Sequence, residues 1–154
     1  MKRILTILTF FALSLGAYAD NATDAIDFFN QYVNAANSSS QELPSFYSPS
    51  ARIIRQVIKP DGELVDKETD VARYVSEMKK SQALAKMRKY KNSYSDVKST
   101  KINETTYKVT ALRQPTGETY KLKTHMIMQK QANGKWQIIE EMMQTKVQML
   151  LHAK

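Results

Sequence analysis

The change of apolar period near residue 90 constrains this chain more than any other feature. From Tyr90 to Val147 apolar and polar residues alternate at a period of two. Three short links interrupt the pattern: Asn103-Glu104, Pro115-Thr116-Gly117-Glu118 and Ala132-Asn133-Gly134-Lys135. The pattern predicts four strands, Tyr90–Ile102, Thr105–Gln114, Thr119–Lys130 and Trp136–Val147. Links this short leave only antiparallel neighbours. Strands this long are expected to bend strongly, with bulges as the means.

Before residue 90 the dominant period is helical. Ala22, Ile26, Phe29, Val33 and Ala36 recur at spacings of three and four and make one apolar face, bordered by Tyr32, with Asn21 or Thr23 as the cap. A short second helix is expected over Glu42–Tyr47, stopped by Pro49. Arg52–Ile58 is β-branched and reads as a strand, Lys59-Pro60-Asp61-Gly62 as a turn, and Glu63–Asp66 as a short returning strand. Thr69 is the expected cap of a third helix that carries Val71, Tyr74, Val75 and Met78 on one face.

The first nineteen residues stand apart. Lys2 and Arg3 precede an uncharged run from Ile4 to Leu15, and Ala17-Tyr18-Ala19 leads into Asp20. This is the pattern of a cleaved signal peptide, cut after Ala19, and it predicts a periplasmic or secreted protein. The domain is then expected over 20–147, with 148–154 as a tail. The chain has 154 residues and no cysteine. Disulfides, thiolate metal sites and a cysteine nucleophile are therefore excluded, and an exported domain without such staples fits a bacterial envelope best. The formal charge is +8. Lys79, Lys80, Lys86, Arg88, Lys89 and Lys91 lie in one stretch without an acid, which reads either as a solvated helix end or as a patch for an anionic envelope lipid or an acidic partner. No nucleic-acid motif is present.

Alternation sorts the strand residues into two faces. Tyr107, Val109 and Ala111, then Tyr120, Leu122, Met126 and Met128, then Trp136, Ile138, Glu140 and Met142 are expected to face the helices. Leu112, Ile127, Ile139 and Met143 fall on the opposite face and suggest a homodimer interface. Glu140 is the inward carboxylate by this count, a candidate general base with Tyr32 as oxyanion donor, or else half of an ion pair with a residue such as Arg55. Its neighbours in a ligand pocket would be Phe29, Tyr32, Tyr74, Tyr107, Tyr120, Met126 and Trp136, although methionines and tyrosines fill ordinary cores too. His125 is placed outward, with Glu141 as a cross-strand partner. Two distant histidines make no metal cluster, and no cofactor-binding motif occurs.

Three local phrases resemble one superfamily. Phe29-Asn30-Gln31-Tyr32-Val33-Asn34-Ala35-Ala36-Asn37 is similar to its first helix and exit. Phe46-Tyr47-Ser48-Pro49-Ser50-Ala51-Arg52-Ile53-Ile54 is similar to its passage into the first strand. Asn133-Gly134-Lys135-Trp136-Gln137-Ile138-Ile139-Glu140 is similar to its final hairpin. In this order they resemble the nuclear transport factor 2-like (NTF2-like) superfamily, which includes SnoaL-like cyclases, scytalone dehydratase and ketosteroid isomerase. The resemblance implies an α+β cone: three N-terminal helices packed in the concave face of a strongly curved, mostly antiparallel sheet, often dimeric through that sheet. Tyr32 matches the isomerase tyrosine, whereas the positions of the isomerase acids fall at Arg55 and near Met126. The expectation is therefore an exported, non-catalytic domain that holds a small apolar or amphipathic ligand or a protein partner. The alternative is a cofactor-free isomerase, dehydratase or cyclase using an inward carboxylate and a tyrosine. A weaker third option is an interaction protein acting through the basic stretch.

Overall fold

In a computed structural model, residues 13–152 are described, with side chains from Asn21 onward. Most of the expected signal segment lies outside them. The first helix, α1 (Leu13–Asn37), is continuous through the expected cut after Ala19. A 3-10 turn (Leu43–Phe46) leads into β1 (Tyr47–Ile58), and β2 (Leu64–Asp70) returns along it. Then come α2 (Val71–Met87) and the meander β3 (Asn92–Asn103), β4 (Thr106–Pro115), β5 (Leu122–Lys130) and β6 (Trp136–Thr145). A second 3-10 turn covers Gln148–Leu151.

The strands form one six-stranded sheet in the order β2-β1-β6-β5-β4-β3. All pairs are antiparallel except β1 with β6, which run parallel. The fold is thus α+β with two helices, not three. The expected second helix is only a 3-10 turn, because Pro49 and its neighbours belong to β1 and draw the chain into extended geometry five residues before the expected strand start. Asp70, not Thr69, caps α2: its carboxylate accepts from the Arg73 amide at 2.8 Å.

Both helices pack on one face. Ala25, Phe29 and Tyr32 of α1 are buried against Tyr107, Val109 and Ala111 of β4 and Met126 and Met128 of β5. Tyr32, assigned to the border of the helix face, is therefore at its centre, 2 % exposed. Register shifts interrupt β1, β3 and β6. In β3, Asp96 takes a φ of 55° where the register with β4 skips a residue. In β6, Ile127 of β5 faces Glu140 while Met128 faces Ile138, so Ile139 is the extra residue.

The β6 bulge corrects the face assignment. Trp136 and Ile138 are on the helix side as expected, but beyond the bulge the inward residues are Glu141 and Met143, and Glu140 and Met142 face outward. Met143 packs against the core and leaves the expected dimer face, which retains half-buried Leu112, Ile127 and Ile139. Tyr120 precedes β5, has the Lys146 ammonium 4.0 Å from its ring centre, and is not among the residues packed on the core.

Candidate functional site

The inner face of the sheet carries a buried ion-pair cluster that β1 and β6 together supply. On β1, Ile53, Arg55 and Val57 share the inward side. On β6 the bulge turns Glu141 to the same side, opposite Ile53. Glu141 is fully buried. One of its oxygens accepts from the Tyr47 hydroxyl at 2.5 Å and the Tyr32 hydroxyl at 3.0 Å. The other lies 2.7 Å from a terminal guanidinium nitrogen of Arg55. The two hydroxyl oxygens lie 3.2 Å apart, side by side on that carboxylate oxygen. A buried carboxylate needs an opposite charge and hydrogen-bond donors, and this one has both.

Aromatic rings wall the cluster. Tyr47 meets Tyr32 and Tyr74 edge-on, with ring centres 6.1 and 5.7 Å apart. The Arg55 guanidinium sits over the Tyr74 ring at 4.9 Å, a cation–π contact. Burial first, and the Glu141 charge second, push the Tyr32 and Tyr47 phenols well above the usual tyrosine value near 10. Tyr74 is raised by the same two causes, with Arg55 opposing. Burial disfavours the Arg55 charge, but Glu141 outweighs it and holds the guanidinium firmly protonated. All three phenols are thus neutral hydrogen-bond donors at ordinary pH.

The upward-shifted phenols make stability depend on pH. The folded chain keeps phenol protons that the unfolded chain releases near pH 10, so this contribution is whole below about pH 10 and falls as pH rises beyond it. The denaturant midpoint should drop across that range, and the 295 nm absorbance of these tyrosinates should appear only with unfolding. Titration of all the tyrosines of the folded chain near pH 10 would mean that Tyr32 and Tyr47 are open to water.

The cluster opens on one side to a cleft of about 510 Å³. Ile53, Tyr74, Met78 and Leu150 give it an apolar lining, and Arg55 reaches its floor with 20 % of the side chain exposed. Charges on the walls are mostly spent: Arg73 pairs with Glu77 and Glu68 with Arg52. Lys67 makes no ion pair among the described residues. Thr69 also lines the cleft, and its buried hydroxyl has no hydrogen-bond partner.

Of the sequence-derived site residues, Tyr32 and Tyr74 belong to this cluster. Phe29, Tyr107 and Met126 are core. Trp136 lines a separate groove of about 530 Å³ with Phe28, Phe46 and three carboxylates. Glu140 accepts from Arg52 and lies 2.9 Å from His125 on the outer face, so it is the structural ion-pair residue and cannot be the inward base. His125 pairs with Glu140 instead of Glu141 for the same bulge-related reason. The basic residues Lys79, Lys80, Lys86, Arg88, Lys89 and Lys91 are all exposed. Sequence reasoning missed Tyr47 and the inward role of Glu141. The signal was Arg55, a charge in phase with Ile53 and Val57, which requires an inward acid.

No known sequence family and no curated protein sequence matches the chain. Solved structures do. A candidate scytalone dehydratase from Novosphingobium aromaticivorans superposes with a TM-score of 0.62 at 11 % identity, over 84 % of this chain and 86 % of that one. An NTF-2-like protein of unknown function from Shewanella oneidensis gives 0.60 at 11 % identity, over 80 % and 98 %. The fold is that of the nuclear transport factor 2-like superfamily. A candidate ketosteroid isomerase from Shewanella frigidimarina also matches, with a TM-score of 0.54 at 15 % identity over 76 % and 91 %. Structures with this fold thus carry both enzyme names and no assigned function, and the fold alone does not choose between them.

Proposed function

We propose that this chain is an exported, non-catalytic binding domain that receives a small amphipathic anion in the cleft above Arg55. The observation that carries this reading is the charge arrangement of that cleft. Its floor cation is neutralised from below by Glu141, its wall pairs are closed, and Lys67 is left over beside an apolar lining. A ligand with one anionic group and an apolar body would pair Lys67 and cover Ile53, Met78 and Leu150, while its polar end satisfies the Thr69 hydroxyl. Half-buried Leu112, Ile127 and Ile139 leave room for a second copy on the outer face.

The enzymatic alternative has the right group types in Glu141, Tyr32 and Tyr47. A base, however, must reach the proton it removes. One Glu141 oxygen is held by Tyr32 and Tyr47, the other is paired by charge with Arg55 without a formal hydrogen bond, and none of the residue's surface is exposed to a substrate. This favours binding over proton transfer.

Displacement of the anionic dye anilinonaphthalene sulfonate by a medium-chain fatty acid tests the reading. Lys67→Glu should weaken fatty-acid binding about tenfold or more, the loss of one charge-assisted contact plus a new repulsion. Ser81→Trp, on the exposed cleft side of α2, should block binding without lowering the melting temperature. A matched fatty alcohol should bind less well than the acid. Unchanged binding in both variants would place the ligand elsewhere and sink the proposal.

A further inference from the structure

The C-terminal half of α2 turns away from the cleft and presents a different surface. At helical spacing Lys80, Ala83, Leu84 and Met87 share the outward side, opposite Tyr74 and Met78. Leu84 is 44 % exposed and Met87 76 %, and Tyr90 just beyond the helix is 44 % exposed. Large apolar side chains left this open on one short segment are unusual on a free surface. They alternate with the six cations of the sequence-derived patch, from Lys79 to Lys91. Among the described residues none of those six makes an ion pair. The nearest acid upstream on the helix, Glu77, is held by Arg73.

We infer that this end of α2 docks on an anionic lipid surface. The charge pattern selects an anionic partner. The apolar component selects a bilayer over a soluble acidic chain: Leu84, Met87 and Tyr90 would enter the interface while the lysine and arginine stems reach the headgroups around them. The backbone supports the geometry. Lys89 adopts a left-handed φ of 50° and the Lys91 carbonyl accepts from Thr116 of the β4–β5 link, which fixes the turn after the helix. Arg88, Lys89 and Lys91 are thereby gathered beside Met87 at the end of the helix.

Co-sedimentation of the protein with vesicles of phosphatidylcholine, with and without phosphatidylglycerol, tests the inference. Binding is expected only with phosphatidylglycerol present, and high salt should weaken it. Lys86→Gln/Arg88→Gln/Lys89→Asn should lose about a hundredfold in affinity, at about fivefold per basic residue at a charged membrane surface. Leu84→Asn/Met87→Asn keeps every charge and should lose about tenfold, from apolar area no longer buried. All these residues are exposed, so matching melting curves are expected for every variant. Equal binding to both vesicle types, or no loss on neutralising the three cations, overturns the inference. So does an apolar pair variant that binds as well as the parent, because the partner would then be recognised by charge alone. Lys67→Glu should leave vesicle binding intact, so cleft and membrane surface are tested separately.

Discussion

Arg55→Met is expected to destabilise the protein by about 3–5 kcal/mol, the cost of removing one partner of a buried ion pair. The reason lies in the asymmetry of the pair. Glu141 is wholly enclosed and cannot turn to water, so loss of Arg55 leaves an anion among Tyr32, Tyr47, Ile53 and Met126. The converse change is milder. Glu141→Gln keeps an acceptor for the two phenols, and Arg55 already reaches the cleft and can turn further into solvent. Its cost is expected at about 1–3 kcal/mol. Denaturant unfolding of the two variants gives the comparison. A Glu141→Gln loss equal to that of Arg55→Met would show that Arg55 has no escape to the cleft.

How much of this was legible in the sequence depended on whether the signal was periodic. The meander β3–β6 is long, alternating and punctuated by Gly and Asn turns, so the sequence places every strand end to within three residues. The inward set on β4 followed directly, since that strand keeps strict alternation from Tyr107 to Arg113. The site itself failed at one residue. Ile139 is a bulge, and nothing in Ile138-Ile139 marks one, because both residues suit regular strand equally well. Counting by two across it exchanged Glu140 for Glu141, and with them His125's partner and the place of Met143. Tyr47 was lost for a related reason. Extending the second helix to it hid its role as the first residue of β1. Arg55 was the available corrective: the neighbouring Arg52 satisfies Glu140 on the outer side, so an inward arginine demanded a second acid. Two carboxylates in succession, Glu140 and Glu141, supply one for each face.

The second large effect concerns the two phenols. Tyr32→Phe/Tyr47→Phe removes both donors to one Glu141 oxygen while keeping the rings and their edge-on contacts. Hydrogen bonds to a charged group contribute about 1.5–3 kcal/mol each, so the double variant should lose about 3–6 kcal/mol. A loss under about 1 kcal/mol would mean that Arg55 alone satisfies the carboxylate. The fuller test replaces the whole cluster: Tyr32→Phe, Tyr47→Phe, Arg55→Met and Glu141→Met together. Buried ion pairs exchanged for apolar groups of similar size are often neutral or stabilising. If this variant recovers most of the stability lost by Arg55→Met, the cluster is not needed for folding, and its presence must be explained by what the cleft does. The recovered protein should then bind the anionic probe less tightly than the parent, because Lys67 remains but the N–H donors that Arg55 presents to the cleft are gone. Recovery of stability with undiminished probe binding would separate the cluster from the cleft and leave Lys67 as the anion's partner on its own.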